Sequence, residues 1–271
     1  MKPISLGVYE KSMPNEWTIA QKLTLSQQAD FDYMEISIDE TDEKLERLTS
    51  NAFKCDTLSA IQSTGQPIRT MCLSGHRKYP LGSTDAVRRM RSLDIMQRAI
   101  DLSCEIGVRI IQLAGYDVYY ESSSELTQAY FAENLQKCVE MAASCGVILA
   151  FETMETPFMN TVSKAMRYVS LLHSPYLQVY PDIGNVRNAT DHYLEDLQSG
   201  DGHIAAVHLK ETVADVYRDM QFGEGRVDFD GCIHTLKTMG VRMFTCEFWY
   251  DGQSEPLPYL QRTRTFFRTW F

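Results

Sequence analysis

Glu152, Asp182, His208 and Glu247 each stand at or beside the C-terminal end of a separate short apolar run, in the segments LAFE, QVYPD, AAVH and MFTCE. Three carboxylates and one imidazole are a donor set for a hard or borderline divalent cation: Mn, Zn, Co or Mg, according to supply. The four side chains can meet only if the runs are parallel strands whose C-terminal ends converge on one mouth, as they do in a barrel. Their spacings of 30, 26 and 39 residues fit, since one barrel repeat of strand, loop, helix and return needs about 30 residues. Taken singly, each acid reads equally well as a helix cap or surface group, and the histidine as a satisfied structural residue. Capping does not explain four of them in phase.

The elements that must position these residues can be read along the chain. Strand-like runs are expected at 4–8, 33–38, 68–73, 109–113, 147–151, 177–180, 204–209 and 243–248. Between them lie amphipathic patterns such as 84–105 and 126–145, with Leu, Ile, Met and Ala at three- and four-residue steps. Gly107 and Gly146 fall just past two of these patterns, where a helix C′ glycine belongs. Eight strand–helix units predict a single (β/α)8 TIM barrel over residues 1–271, with a parallel sheet closed on itself. A doubly wound open sheet fits less well. No G-x-G-x-x-G follows the first strand, and the candidate ligands come from four successive late strands rather than one switch point.

Composition supports one compact enzyme domain: 271 residues, 44% hydrophobic and 23% charged, with no long Pro/Gly/Ser linker. With 26 Lys and Arg against 36 Asp and Glu, the net charge is −10. That argues against nucleic acid as a partner, which calls for a basic footprint. The seven cysteines are odd in number and form no C-x-x-C pair, so they read as reduced thiols of a cytoplasmic protein. The start MKPISLGVYEK lacks the apolar run of a secretion signal, and no stretch approaches membrane-spanning length. The C-terminal YLQRTRTFFRTWF is rich in aromatics. It predicts either a helix that closes the barrel or a subunit contact in a homo-oligomer, a dimer in the simplest case.

Several segments together resemble a known family: FETMETPFMNT (151–161), PDIGNVRN (181–188), VHLKET (207–212), QFGEGRVDF (221–229), CEFW (246–249) and LSGHRKYPLGS (73–83). Their order and spacing are similar to those of the xylose-isomerase-like barrel superfamily and, within it, the L-ribulose-5-phosphate (L-xylulose-5-phosphate) 3-epimerase family. The resemblance covers almost the whole chain. It implies a metal held by Glu152, Asp182, His208 and Glu247, with Glu152 and Glu247 doubling as acid and base. It also implies a pentulose 5-phosphate substrate from L-ascorbate and L-xylulose degradation. The chemistry suggests the same division of labour, because inverting carbon 3 of a 2-ketose needs one base on each face and a Lewis acid at the carbonyl.

Other residues carry weaker signals. Glu155 is expected to hold a substrate hydroxyl or a ligand histidine, or else to be a solvated loop acid. Asn185 reads as a substrate contact or a helix cap. Lys210 and Glu211 are expected to pair with each other, and Glu224, between Gly223 and Gly225, to sit on a loop that closes over the mouth. For the phosphate, the basic loop Ser74, Gly75, His76, Arg77 and Lys78 is the best cluster, with Arg187 and Arg218 as further candidates. The alternative readings are an aldose–ketose isomerase, an unphosphorylated ketose 3-epimerase, a DNA-repair endonuclease and a non-catalytic sugar-binding barrel. The endonuclease calls for more histidines than the six in this chain, and a sugar-binding barrel has no need of three carboxylates around an ion.

Overall fold

Each strand candidate falls on an observed strand. The computed structural model describes residues 4–271 and contains β1 (Ser5–Tyr9), β2 (Tyr33–Ile38), β3 (Ile68–Leu73), β4 (Ile110–Ala114), β5 (Ile148–Glu152), β6 (Leu177–Tyr180), β7 (Val207–Leu209) and β8 (Met243–Cys246). All pair in parallel, in the order β6-β5-β4-β3-β2-β1-β8-β7. Ten helices lie between and after the strands: α1 (Ile19–Gln28), α2 (Asp42–Glu46), α3 (Asn51–Thr64), α4 (Ala86–Ile106), α5 (Glu125–Cys145), α6 (Val162–Leu172), α7 (Ile183–Ala189), α8 (Tyr193–Gln198), α9 (Phe229–Thr238) and α10 (Pro256–Phe266).

The helices form where the sequence supplies caps and an apolar face. Asp85 and Ser124 cap α4 and α5 by accepting backbone N–H groups of the first turn. Gly107 and Gly146 end them at φ 88° and 69°, the left-handed region that a Cβ disfavours. On α5 the buried side chains Phe131, Leu135, Cys138, Val139 and Ala142 recur on one face, against the sheet. Fully burying each large apolar side chain of this kind contributes about 1.5–3 kcal/mol.

The ring closes between β6 and β7, and this seam differs from the rest. β7 was expected at 204–209 and is a ladder only over Val207–Leu209. Its partner strand runs into Pro181, which has no N–H to extend the ladder, so the seam is made of isolated bridges, Val179 to Ile204 and Asp182 to His208. His208 N–H donates to the Pro181 carbonyl at 2.9 Å, which sets the two ligand candidates side by side.

The aromatic C-terminus has partners within the chain. Phe222 meets Phe267 at 4.8 Å between ring centroids, and Phe244 meets Phe271 at 5.0 Å. This is the barrel-closing reading of that segment. Among the described residues no helix is long and apolar enough to cross a membrane, and all seven cysteines are free thiols.

Candidate metal centre

Glu152 ends β5, Asp182 follows β6 by two residues, His208 is the middle residue of β7, and Glu247 directly follows β8. One ligand atom from each of the four lies within 4.8 Å of the others, and all four residues are buried. His208 Nδ1 is 2.9 Å from Glu152 Oε1 and 3.6 Å from Glu247 Oε2. Asp182 does two jobs. Its Oδ1 caps α7 by accepting the Asn185 N–H at 2.9 Å, while its Oδ2 faces the Lys210 ammonium at 2.6 Å. Lys210 is also 3.3 Å from Glu247 Oε2. Asp182 Oδ2 and Glu247 Oε2 are both buried without an aligned hydrogen bond, although buried polar atoms normally find a partner.

The electrostatics match a cation site. Burial, with the charges of Glu247 and Glu152, pushes Asp182 up to about 8 against the opposing pull of Lys210. Burial and Glu247 likewise raise Glu152. Glu247 is held down at about 2: burial acts against its charge, but Lys210 and His208 outweigh it. Burial opposes the charged imidazole of His208, yet Glu35, Glu247 and Glu152 together hold its pKa well above the ordinary value. Crowded carboxylates of this kind cannot all ionise unaided, and a divalent ion relieves the crowding. The donor set, the crowded carboxylate oxygens that share the one Lys210 ammonium, and the shared spacing all fit such an ion.

Glu152 and Glu247 line a cavity of about 420 Å3, with Asp182 and His208 buried behind them, and its other walls include Tyr9, Arg77, Glu155, Asn185, Lys210, Arg218 and Trp249. A roomier cavity of about 700 Å3 lies on the flank between α1 and α3, with Trp17, Phe53 and Ala60 in its wall. None of the four ligand candidates reaches it.

A profile of the xylose isomerase-like TIM barrel family matches residues 23–270. The chain belongs to that family. It is 42% identical to the L-ribulose-5-phosphate 3-epimerase UlaE of Salmonella heidelberg over 265 residues, 97% of this chain and 93% of that protein. The identity and coverage are the same for the UlaE protein of Escherichia coli O157:H7. Solved structures share the fold at low identity. A D-allulose 3-epimerase from Methylomonas sp., in complex with D-allulose, superposes with a TM-score of 0.82 at 16% identity, covering 100% of this chain and 98% of that one. An L-ribulose 3-epimerase gives 0.79 at 16%, covering 98% and 94%.

In this xylose isomerase-like barrel the remaining candidates separate clearly. Glu155 lines the cavity and accepts from Tyr116 OH at 2.6 Å. Asn185 lines it too, with Nδ2 donating to the Thr153 carbonyl at 2.7 Å and Oδ1 without a partner. In the basic loop Ser74 and Arg77 reach the cavity, and Arg77 is the one charged side chain of the loop that does, beside the rings of Tyr116 and Tyr119 and with its Nε unpartnered. His76 turns inward, its Nε2 at 3.1 Å from the Ser92 carbonyl, and burial lowers its pKa to about 4. Lys78 points outward to Asp42 at 3.3 Å. Arg218 lines the cavity over the Trp249 ring, whereas Arg187 pairs with Asp191 at 2.7 Å.

The expected Lys210–Glu211 pair is not formed. Lys210 joins the ligand acids, while Glu211 accepts the backbone N–H of Gly223 at 2.8 Å and of Val227 at 3.2 Å. Glu211 thereby pins the glycine loop, and Gly225 packs so tightly against Glu211 and Thr212 that a Cβ would collide. Glu224 is exposed and bonds only within the loop, to Gln221 N–H at 3.4 Å. Two contributors went unread in the sequence. Gln112 on β4 donates to Glu152 Oε2, and Glu35 on β2 meets His208 Nε2 at 2.6 Å. The available signal for Glu35 was a lone acid inside the apolar run YMEISI.

Proposed function

We propose that this chain is a metal-dependent 3-epimerase of a ketopentose 5-phosphate, interconverting L-xylulose 5-phosphate and L-ribulose 5-phosphate in L-ascorbate and L-xylulose catabolism. One observation carries the reading. Glu152 and Glu247 reach one buried ligand cluster from β5 and β8, with Asp182 and His208 completing it. The 42% identity to L-ribulose-5-phosphate 3-epimerases over nearly the whole chain supports the substrate class. The free thiols support a cytoplasmic setting.

Held by Glu152, Asp182, His208 and Glu247, a divalent ion (Mn, Zn, Co or Mg) supplies Lewis acidity at the ketose carbonyl and offsets the negative charge that develops on its oxygen. One glutamate takes the C3 proton, and the C–H electron pair becomes the C2–C3 double bond of the enediolate. The other glutamate, on the opposite face, returns a proton to C3 with inversion. Lys210 adds fixed positive charge beside the developing oxyanion. Asn185 and Glu155 orient hydroxyls, while Arg77 and Arg218 hold the phosphate at the far side of the cavity. The test is turnover of L-ribulose 5-phosphate before and after chelation, with metal content assayed in parallel. Chelation should abolish turnover and added Mn2+ or Zn2+ should restore it. Full activity of metal-stripped protein, or unchanged metal content in Asp182→Asn and His208→Ala, overturns the reading.

A further inference from the structure

Glu35 is fully buried on β2, in the barrel interior beneath the mouth. An acid there needs charge-capable or hydrogen-bonding partners on every oxygen. Its Oε1 lies 2.6 Å from His208 Nε2. Its Oε2 accepts from Thr70 Oγ1 at 2.7 Å and from Tyr180 OH at 2.9 Å. The ladder continues through Thr245 Oγ1, 2.7 Å from Tyr180 OH and 2.8 Å from Tyr33 OH, and ends where Tyr33 OH donates to the Phe244 carbonyl at 2.9 Å. Gly7 on β1 belongs to the same construction, because a Cβ there would run into the Tyr33 ring. Strands β2, β3, β6 and β8 thus fix one carboxylate behind one histidine, whose other nitrogen, Nδ1, faces Glu152 and Glu247.

We propose that Glu35 is a positioning residue for the imidazole ligand: it holds His208 in the Nε2–H tautomer, so that the Nδ1 lone pair points into the ligand cluster. The inference rests on the metal reading above and adds a member to the site from a strand that supplies no ligand. A carboxylate behind a ligating histidine fixes ring orientation and raises ligand basicity, and its loss typically weakens metal binding 10–100-fold. A polar network that merely filled the core would not affect the tautomer or the ion.

The test compares Zn2+ affinity, by competition with a chromophoric chelator, in the wild type, Glu35→Gln and Thr70→Val, together with nitrogen NMR of the histidine rings in the Zn-loaded wild type. Glu35→Gln should weaken Zn2+ about 10–100-fold, and Thr70→Val by less, with far-UV circular dichroism unchanged. His208 should show a protonated Nε2 and a metal-bound Nδ1. Folded Glu35→Gln with wild-type affinity overturns the inference, as does an ion on Nε2. If Glu35→Gln does not fold, the wild-type spectrum decides alone. A wild type that places no Zn2+ on His208 sinks the metal reading, and this inference with it. Zn2+ bound normally by the wild type but unaffected by Glu35→Gln sinks this inference only.

Discussion

Glu10 and Asp182 are both fully buried acids just past the ends of barrel strands, yet their surroundings are opposite. Glu10 is ringed by Lys22 at 3.0 Å, Lys44 at 2.6 Å and Arg47 at 2.9 Å, and accepts the Ser37 N–H at 2.8 Å. Burial acts against its charge, but Arg47, Lys44 and Lys22 outweigh it and hold the carboxyl far below the usual range. At the mouth, among the described residues, Glu152, Asp182, Glu247 and Glu35 form ion pairs only with Lys210 and the His208 ring. There Asp182 is pushed up to about 8. A cluster whose acid is over-compensated is complete by itself and ties β1 to α1 and α2. One whose acids outnumber its cations can take up a further cation, and it is this second kind that faces a cavity.

Breaking each cluster should therefore have different consequences. The largest effect belongs to the mouth: Glu152→Gln and Glu247→Gln keep an oxygen ligand but lose a proton acceptor, so turnover should fall about 10²–10⁴-fold with metal retained. Metal content and kcat check this together. In deuterium oxide each single mutant should still exchange the C3 proton of one epimer while failing to invert it. Next comes Glu10→Gln, which strands the buried Lys22 and Lys44 and the half-buried Arg47 and should cost about 3–5 kcal/mol by urea unfolding, with activity per folded molecule unchanged. A mutant of normal stability would erase the distinction between the clusters.

A smaller effect is expected along the cavity wall. Arg77→Ala should raise KM for the phosphorylated ketose roughly 10–100-fold and leave kcat nearly intact, as expected for a lost charged contact made equally in ground and transition states. Lys78→Ala should change neither constant, because Lys78 faces Asp42 outside the cavity. The subtlest contrast is in pH. Glu10 has a folded pKa below its ordinary 4.5, so the stability it contributes is present above that pH and lost on acidification. Asp182 is raised from 3.8 to about 8, so it stabilises the metal-free protein at low pH and that stability is lost as pH rises through its folded pKa. The metal-free melting temperature should accordingly fall between about pH 5 and about pH 8, while the gain on adding the ion grows over the same interval. A flat metal-free profile would contradict the crowded-acid account.

Much of this was legible in the sequence, and the exceptions have local reasons. The eight strands and the meeting of Glu152, Asp182, His208 and Glu247 could be read because a parallel barrel repeats its spacing and puts C-terminal strand ends at one mouth. Glu35 was harder to read: the lone acid inside YMEISI marks a special position, but its partner lies 173 residues away and nothing local names it. The Lys210–Glu211 pairing failed because neighbours in extended backbone project to opposite sides. One turns into the ligand cluster and the other back to the glycine loop. The basic loop misled in a similar way. Ser74–Arg77 winds into a 3-10 turn, which fans successive side chains about its axis, so His76, Arg77 and Lys78 face core, cavity and solvent.

The central claim, proton transfer at C3 by an ion-loaded two-glutamate site, is tested most directly by proton NMR of L-ribulose 5-phosphate in deuterium oxide with Zn-loaded protein. The account predicts that deuterium enters at C3 as L-xylulose 5-phosphate forms, with the C1 protons untouched, and that chelation stops both. Exchange at C1 with formation of an aldose phosphate, or no exchange with metal bound, would contradict it.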